Sequence, residues 1–288
     1  MQSCKKVKNR IRSISNTRQI TDVMKMISSV KLHRAQNAVQ ANRMYSSCFN
    51  DLILRVAVCL KEHPFFAGNS AAAFRGALLI TSDTGLAGAL NYRLFQAVRD
   101  EFGAPKEGLR FWVIGKKGND WLRKAGFSVE GEPMAVSDVP TYEEARKVSG
   151  VLRAAYLGGR FRQISLVYQS FLSGGKQKPA CRTLLPLEAP EKKPEAETEY
   201  RFEDGATDFA AEALPLFFDS LVYQALLEAK ASEHISRMLA MDLSGKNSEK
   251  LEAALRLEYN SARQAEITRE ISEIISGKNA LAVHKEAE

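Results

Sequence analysis

The chain has 288 residues, 45% of them apolar, and a formal charge of +7 from 41 basic and 34 acidic side chains. That length fits one large domain, or an extended element plus one compact domain with a buried core. Four widely spaced cysteines, Cys4, Cys48, Cys59 and Cys181, argue against a disulfide framework or thiolate metal site and read as reduced intracellular thiols.

The moderately basic balance suits a polyanion or an acidic protein partner, and serves solubility equally well. The first residues are polar and basic with no apolar run behind them, so they do not read as a secretory signal. The most apolar window, residues 209–227, contains Glu212, Pro215 and Asp219 and is a poor membrane span.

Residues 1–60 read as one long helix. Val7, Ile11, Ile14, Ile20, Met24, Ile27, Val30, Ala35, Ala38 and Val39 recur at steps of three and four, and no proline precedes Pro64 and no glycine Gly68. Its other positions are strongly basic. Thr17, Arg18, Thr21, Gln36 and Gln40 interrupt the apolar stripe, which predicts an imperfect seam. Residues 64–73 read as a loop.

The period then changes. Residues 76–81 form a short apolar run bounded by glycine and Ser82-Asp83, which predicts a buried strand. A helix is predicted over 86–102, a strand over 109–114, short and long helices over 117–125 and 142–157, and a strand over 163–171. Residues 183–187 and 199–202 are candidate edge strands, with a proline-rich charged loop over 188–198. Alternating strands and helices predict a mostly parallel sheet with helices packed on it, over residues 74–203.

From 207 to 283 a second long helical pattern follows, with no proline after Pro215. Phe209, Ala213, Phe217, Leu221, Leu227, Ala231, Ile235, Met238 and Met241 give way to Leu251, Leu255, Ala262, Ala265, Ile271 and Ile275. At about 1.5 Å per residue, such a helix is a rod of roughly 110 Å. It needs an apolar face to lie against, and residues 1–60 offer one. The fold class is therefore α/β: two terminal helices in a long antiparallel, left-handed coiled coil, with an α/β domain inserted between them. Ser244-Gly245-Lys246 sets a glycine inside the second helix, a local weak point costing about 1 kcal/mol relative to alanine.

Site-like features are few. Ser82-Asp83-Thr84-Gly85-Leu86-Ala87-Gly88-Ala89-Leu90-Asn91 follows a strand and opens a helix, where free amides can meet a phosphate. It lacks the lysine and Ser/Thr of a Walker loop and is not the dinucleotide fingerprint, so a tight turn explains it as well. His33, His63, His234 and His284 have no ligand spacing, although His33 and His234 could face each other or a partner across the two helices. No nucleophile with a nearby base stands out. The basic first helix could bind nucleic acid, but aromatic residues are nearly absent from its first forty positions, and pairing with acidic residues is more economical. Three readings thus stand: a partner-binding rod, a nucleotide-binding α/β enzyme and a nucleic-acid-binding coiled coil.

Three stretches carry a resemblance. Ile11-Arg-Ser-Ile-Ser-Asn-Thr-Arg-Gln-Ile-Thr21, with Met24-Lys25-Met26 and Lys31-Leu-His-Arg-Ala-Gln36, resembles the first helix of the γ subunits of F-type ATP synthases. Residues 82–91 resemble that family's internal glycine turn. Ala231-Ser-Glu-His-Ile-Ser-Arg-Met-Leu-Ala-Met241 and Tyr259-Asn-Ser-Ala-Arg-Gln-Ala-Glu-Ile-Thr-Arg-Glu-Ile-Ser-Glu-Ile275 resemble its C-terminal helix.

The resemblance runs end to end and implies a Rossmann-like inserted domain and a non-catalytic rotor. The shaft would couple proton flow through a membrane c ring to ATP synthesis or hydrolysis on an α/β hexamer. It implies α, β and ε subunits and the c ring as partners, with no cofactor and no nucleic acid. Membrane association would come only through the complex, at the cytoplasmic face of the inner membrane. It also implies partner-contact residues: Met24, Lys25, Arg237, Arg263, Gln264 and Thr268 toward the α/β ring. Met24 reads equally as a seam residue.

The sequence departs from the family where Thr84 replaces a usual arginine and Ala87 a frequent cysteine. The cysteine-bearing insertion of chloroplast forms is absent, which predicts no thiol switch. The start directly on the first helix favours a bacterial protein, and residues 283–288 are expected to fray.

Overall fold

The computed structural model describes residues 4–57, 60, 63–172, 176–187 and 206–286, without the side chains of 54–56, 206–208 and 279–286. Cys59, the charged loop and the candidate strand over 199–202 lie outside the described residues. The elements in order are α1 (Cys4–Val56), α2 (Pro64–Ala67), β1 (Phe74–Ile80), α3 (Leu90–Phe102), β2 (Leu109–Ile114), α4 (Lys116–Lys124), β3 (Ser128–Val129), α5 (Tyr142–Leu157), β4 (Phe161–Phe171), β5 (Gln177–Leu185) and α6 (Ala206–Glu286). Packing divides the chain into two compact units, Ile27–Met238 and Met1–Met26 with Leu239–Glu288.

In Ile27–Met238 the five strands lie in the order β3-β2-β1-β4-β5. The first four are mutually parallel and β5 runs antiparallel to β4. β1 is central and apolar throughout its buried part because both its faces are covered. Alternation along the strand sorts the core. Ala77 and Leu79 face Leu94 and Val98 of α3 and Leu122 of α4, whereas Leu78 and Ile80 face Leu152 of α5 and Phe218 and Val222 of α6. The loop expected over 64–73 contains the short helix α2, started by Pro64 at its first position and capped by His63, whose Nδ1 accepts from Phe65 N–H.

α5 begins where the sequence asks for it. Thr141 Oγ1 accepts from Glu144 N–H (3.2 Å) and Glu144 Oε2 accepts from Thr141 N–H (2.8 Å), a reciprocal cap. Its inner face is tied to α6 by Asp219, whose Oδ1 accepts from Arg153 at 3.2 Å and from Ser149.

Within the same unit, α1 lies antiparallel to α6. Asn42 Nδ2 donates to Gln224 Oε1 (2.7 Å), and four residues on, Ser46 meets Ser220, four residues back (3.1 Å). Leu32, Ala35 and Val39 pack on Leu227, Ala231 and Ile235. Glu228, 7% exposed, accepts from Ser170 Oγ (2.8 Å), Gln224 Nε2 (2.8 Å) and Phe171 N–H (3.3 Å), and Arg43 lies against it. One carboxylate thus joins β4 to both long helices. A stretch of α6 is apolar enough to cross a membrane by length and composition, and 61% of it is buried.

In the other unit, α1 and α6 are again antiparallel. Arg18 pairs with Glu249 and Lys25, seven residues on, with Asp242, seven residues back. Inward residues of α1 are Val7, Ile11, Ile14, Arg18 and Thr21; those of α6 include Met241, Gly245, Ser248, Glu252 and Leu255. Both alternate steps of three and four, the 3.5 period of a left-handed coiled coil.

The seam differs from the apolar stripe read in the sequence. Ile20 is 60% exposed, Ile27 49% and Val30 52%, while Thr21 and Ser28 are buried. The heptad runs straight through polar positions, and the apolar residues beside it form a second, outward strip. Gly245 lies inside the seam. A Cβ there would stand 3.3 Å from Asp22 Oδ1 and 3.7 Å from Thr21 Oγ1, so glycine permits close approach. α6 continues through both Pro215 and Gly245. It also continues to Glu286, past the start of the expected frayed tail.

Candidate functional site

The turn after β1 is built by its own side chains. Ser82 N–H donates to Asn91 Oδ1 (3.3 Å), Asn91 Nδ2 donates to Ser82 Oγ (2.8 Å), and Ser82 Oγ donates to Thr84 O (2.7 Å). Thr81 Oγ1 accepts from Gly118 N–H (2.9 Å) and reaches Ile114 O (3.0 Å), pinning the end of β1 to the start of α4. Asp83 Oδ1 accepts from Lys116 N–H (3.1 Å), a carboxylate at a helix N-terminus. Gly115, at φ 96°, makes this approach feasible, since a Cβ there would stand 2.3 Å from Thr81 O.

α3 starts at Leu90, four residues later than the sequence pattern suggests. Leu86 (φ 63°) and Gly88 (φ 58°) are left-handed and interrupt the helix. Leu86 is costly there, as a non-glycine residue, and its side chain is 62% exposed. Sequence reading gave no sign of it.

α6 faces this turn with a run of charges. Arg237 donates to Thr84 Oγ1 (3.0 Å) and Glu233 Oε1 (2.8 Å), and Lys230 donates to Glu233 Oε2 (3.1 Å). All three side chains are nearly buried, Arg237 at 9% exposure. In this chain, therefore, the guanidinium expected to meet a partner is turned onto the glycine turn, at the position where the sequence departs from the family pattern. Spacings of three and four within an otherwise apolar helix face were the available signal for Lys230 and Glu233.

The loop before α5 lies beside this run. Asp138 pairs with Lys31, whose hydrogen bond holds its carboxyl below the usual range, and its carbonyl meets His234 Nε2 at 3.3 Å. Burial pushes the His234 imidazole down from its ordinary value. His33 is exposed and His234 is 1% exposed, so the two histidines do not face each other.

The remaining expected residues belong to Met1–Met26 with Leu239–Glu288. Met24 is half-buried and Lys25 exposed. Asp242 is bonded by Lys246 (2.8 Å) and by Lys25, which lowers its carboxyl to about 2; the same bond raises Lys25. From Arg263 to Lys278 every residue of α6 is exposed, including Ile267, Ile271, Ile274 and Ile275. Gln264 and Thr268 are brought together by the Thr268 hydroxyl, which donates to Gln264 O (2.9 Å). Ser272 repeats the bond to Thr268 O (2.9 Å). Cys4, Cys48 and Cys181 are free thiols. Among the described residues no group of three or more His, Cys, Asp or Glu is placed to hold a metal.

A protein-family model for ATP synthase matches residues 3–281. The ATP synthase gamma chain of Pelotomaculum thermopropionicum is 36% identical over 284 residues, 98% of this chain and 100% of that one. The chain belongs to the ATP synthase gamma chain family. The gamma chain of Stenotrophomonas maltophilia is 35% identical over 287 residues, again 98% of this chain and all of the relative. A chain in the Euglena gracilis mitochondrial ATP synthase structure of OSCP, F1 and c-ring superposes with a TM-score of 0.67 at 19% identity, over 98% of this chain and 95% of that one. A rotor chain from the same organism gives 0.60 at 17% identity, over 92% and 98%. These neighbours share the fold: a parallel-rich sheet with long terminal helices packed together.

Proposed function

We propose that this gamma chain is the central rotating shaft of an F-type ATP synthase and is itself non-catalytic. One observation carries the reading: similarity to gamma chains over their whole length, at 36% identity. Proton flow turns a membrane c ring and this chain with it. The shaft then drives three β subunits through different nucleotide-binding states. Each rotor angle must favour one β conformation over the others, which requires differential contact rather than tight contact. The working location is the cytoplasmic face of the inner membrane, peripheral and held through the complex, beside ε.

Two exposed surfaces support this assignment. Around Met24 and Lys25, Ile20, Val23 and Met26 form an outward apolar strip on α1. Arg263, Gln264 and Thr268 lie where α6 is exposed on every side. We assign both to the α/β ring. Arg237 contributes by holding the residue 82–91 turn, from which Leu86 projects. A tagged pull-down from membranes of the source cell, with ATPase assayed on the eluate, tests the whole reading. Recovery of α and β near three copies each with ATPase activity supports it. A lone or nucleic-acid-bound protein overturns it, as does nucleotide hydrolysis by the isolated chain.

A further inference from the structure

An open sheet of parallel strands offers a ligand site where the chain leaves one strand in one direction and its neighbour in the other, beyond their carboxyl ends. Here that place is the gap between β1 and β4. From β1 the chain crosses through α3 to β2 on one side, and β4 lies on the other. The gap is filled by the chain's own α6. Lys230 and Glu233 line a cavity there with Thr81 and Ser82 at the end of β1 and Gln169 of β4.

The cavity measures about 10 Å³, at the threshold for one water, on the order of 10–15 Å³. Its polar lining is unevenly satisfied. Thr81 and Ser82 spend their hydroxyls on Ile114, Gly118, Asn91 and Thr84. Gln169 is 2% exposed, and its Oε1 has no hydrogen-bond partner among the described residues. Lys230, 5% exposed, has three donors and a hydrogen bond to Glu233. A buried acceptor left unpaired is destabilising, because it has lost its hydrogen bond to bulk water.

We infer that this crevice is a binding site for a single ordered water, which donates to Gln169 Oε1 and accepts from Lys230 Nζ. The chemistry selects water over an ion. A cation would meet the Lys230 ammonium. An anion would meet the lone pairs of Gln169 and the Glu233 carboxylate. Only a small neutral donor–acceptor satisfies both sides. The seat of α6 on the sheet is then part protein and part solvent, with the water completing what Lys230 begins. This holds whether or not the chain turns within a complex.

The test is a structure of the full chain, alone or in its complex, at a resolution that shows ordered water, with a parallel crystal soaked in bromide. The expected result is one peak within hydrogen-bond distance of Gln169 Oε1 and Lys230 Nζ, with no anomalous signal. An empty cavity overturns the inference, and so does a bromide peak, which would make it an anion site. In Gln169→Met the acceptor is gone and the peak is expected to be lost; a water that stays in the variant also overturns the assignment. If that variant does not fold, the wild-type map alone decides.

Discussion

Asp242 shows what a single residue contributes to the coiled coil. Lys246 and Lys25 both bond its carboxylate, so its folded pKa lies at about 2, below the ordinary 3.8. A carboxyl lowered on folding adds stability above its unfolded pKa and loses it as pH falls through the folded one. The advantage of wild type over Asp242→Asn in thermal unfolding is expected to be full at pH 5 and to shrink between about pH 4 and pH 2. An advantage independent of pH would mean that the lysines do not hold the carboxylate in solution. Gln264 and Arg237 test the proposed contacts in two settings, one side chain exposed and the other turned inward onto Thr84. Gln264→Leu is expected to lower proton-driven ATP synthesis several-fold in membranes while the complex still assembles. Arg237→Ala should do the same but also speed hydrogen exchange over residues 82–91, because it releases Thr84. Unchanged synthesis in both variants would count against Gln264 as a contact and against a role for the turn that Arg237 holds. The proposed contacts Gln264, Thr268 and Arg263 rest on the resemblance alone, since nothing in periodicity marks an outward glutamine. The Arg237–Thr84 contact was not legible at all, because it joins residues 153 positions apart.

At the level of elements, β1, β2 and β4 were legible because burial on both faces requires unbroken apolar runs; α5 has the bounds expected of it, and the Thr141–Glu144 cap, which the sequence reading did not use, sets its start. α3 was read too long. Leu86, Ala87 and Ala89 continue a helical pattern that the left-handed backbone at Leu86 and Gly88 breaks. β3, two residues long, and α2, four, are too short to show a period. The seam was misread in part. Val7, Ile11, Ile14, Arg18 and Thr21 turn inward as the sequence suggests, but Ile20, Ile27 and Val30, counted in the same stripe, lie on an outward strip beside it, and apolar spacing alone does not separate the two. Gly245 tests how closely the helices approach. Alanine there gains about 1 kcal/mol of helix propensity, against a Cβ placed 3.3 Å from the end of an exposed aspartate that can swing away. Gly245→Ala is therefore expected to raise stability by up to about 1 kcal/mol in denaturant unfolding. Destabilisation would show that Asp22 is fixed and that close approach, not tolerance, keeps the glycine.

Over the whole molecule, stability should be unevenly spread. The sheet of Ile27–Met238 is covered on both faces by large apolar clusters. The seam of the other unit carries Arg18, Thr21, Gly245 and Ser248, and residues 263–278 have no buried side chain. Hydrogen exchange of the isolated chain is expected to be slowest in β1 and β4, faster in residues 4–26 and 239–262, and fastest in 263–278. Uniform protection along α6 would contradict that gradient.

One core cluster combines Leu78 and Ile80 of β1, Leu166 and Tyr168 of β4 and Leu152 of α5 with residues of α6 from Ala210 to Ala229. During synthesis, therefore, one face of the sheet is covered only in part, by α5, until α6 follows β5, its last described strand, out of the ribosome. At about 5–20 residues per second, the stretch from Leu185 to Ala229 takes roughly 2–9 s to add. For that interval the nascent chain carries a row of apolar side chains facing water, a target for chaperones and a hazard for self-association. A messenger that pauses the ribosome between those codons should lower the yield of folded protein more than the same pause placed after codon 240.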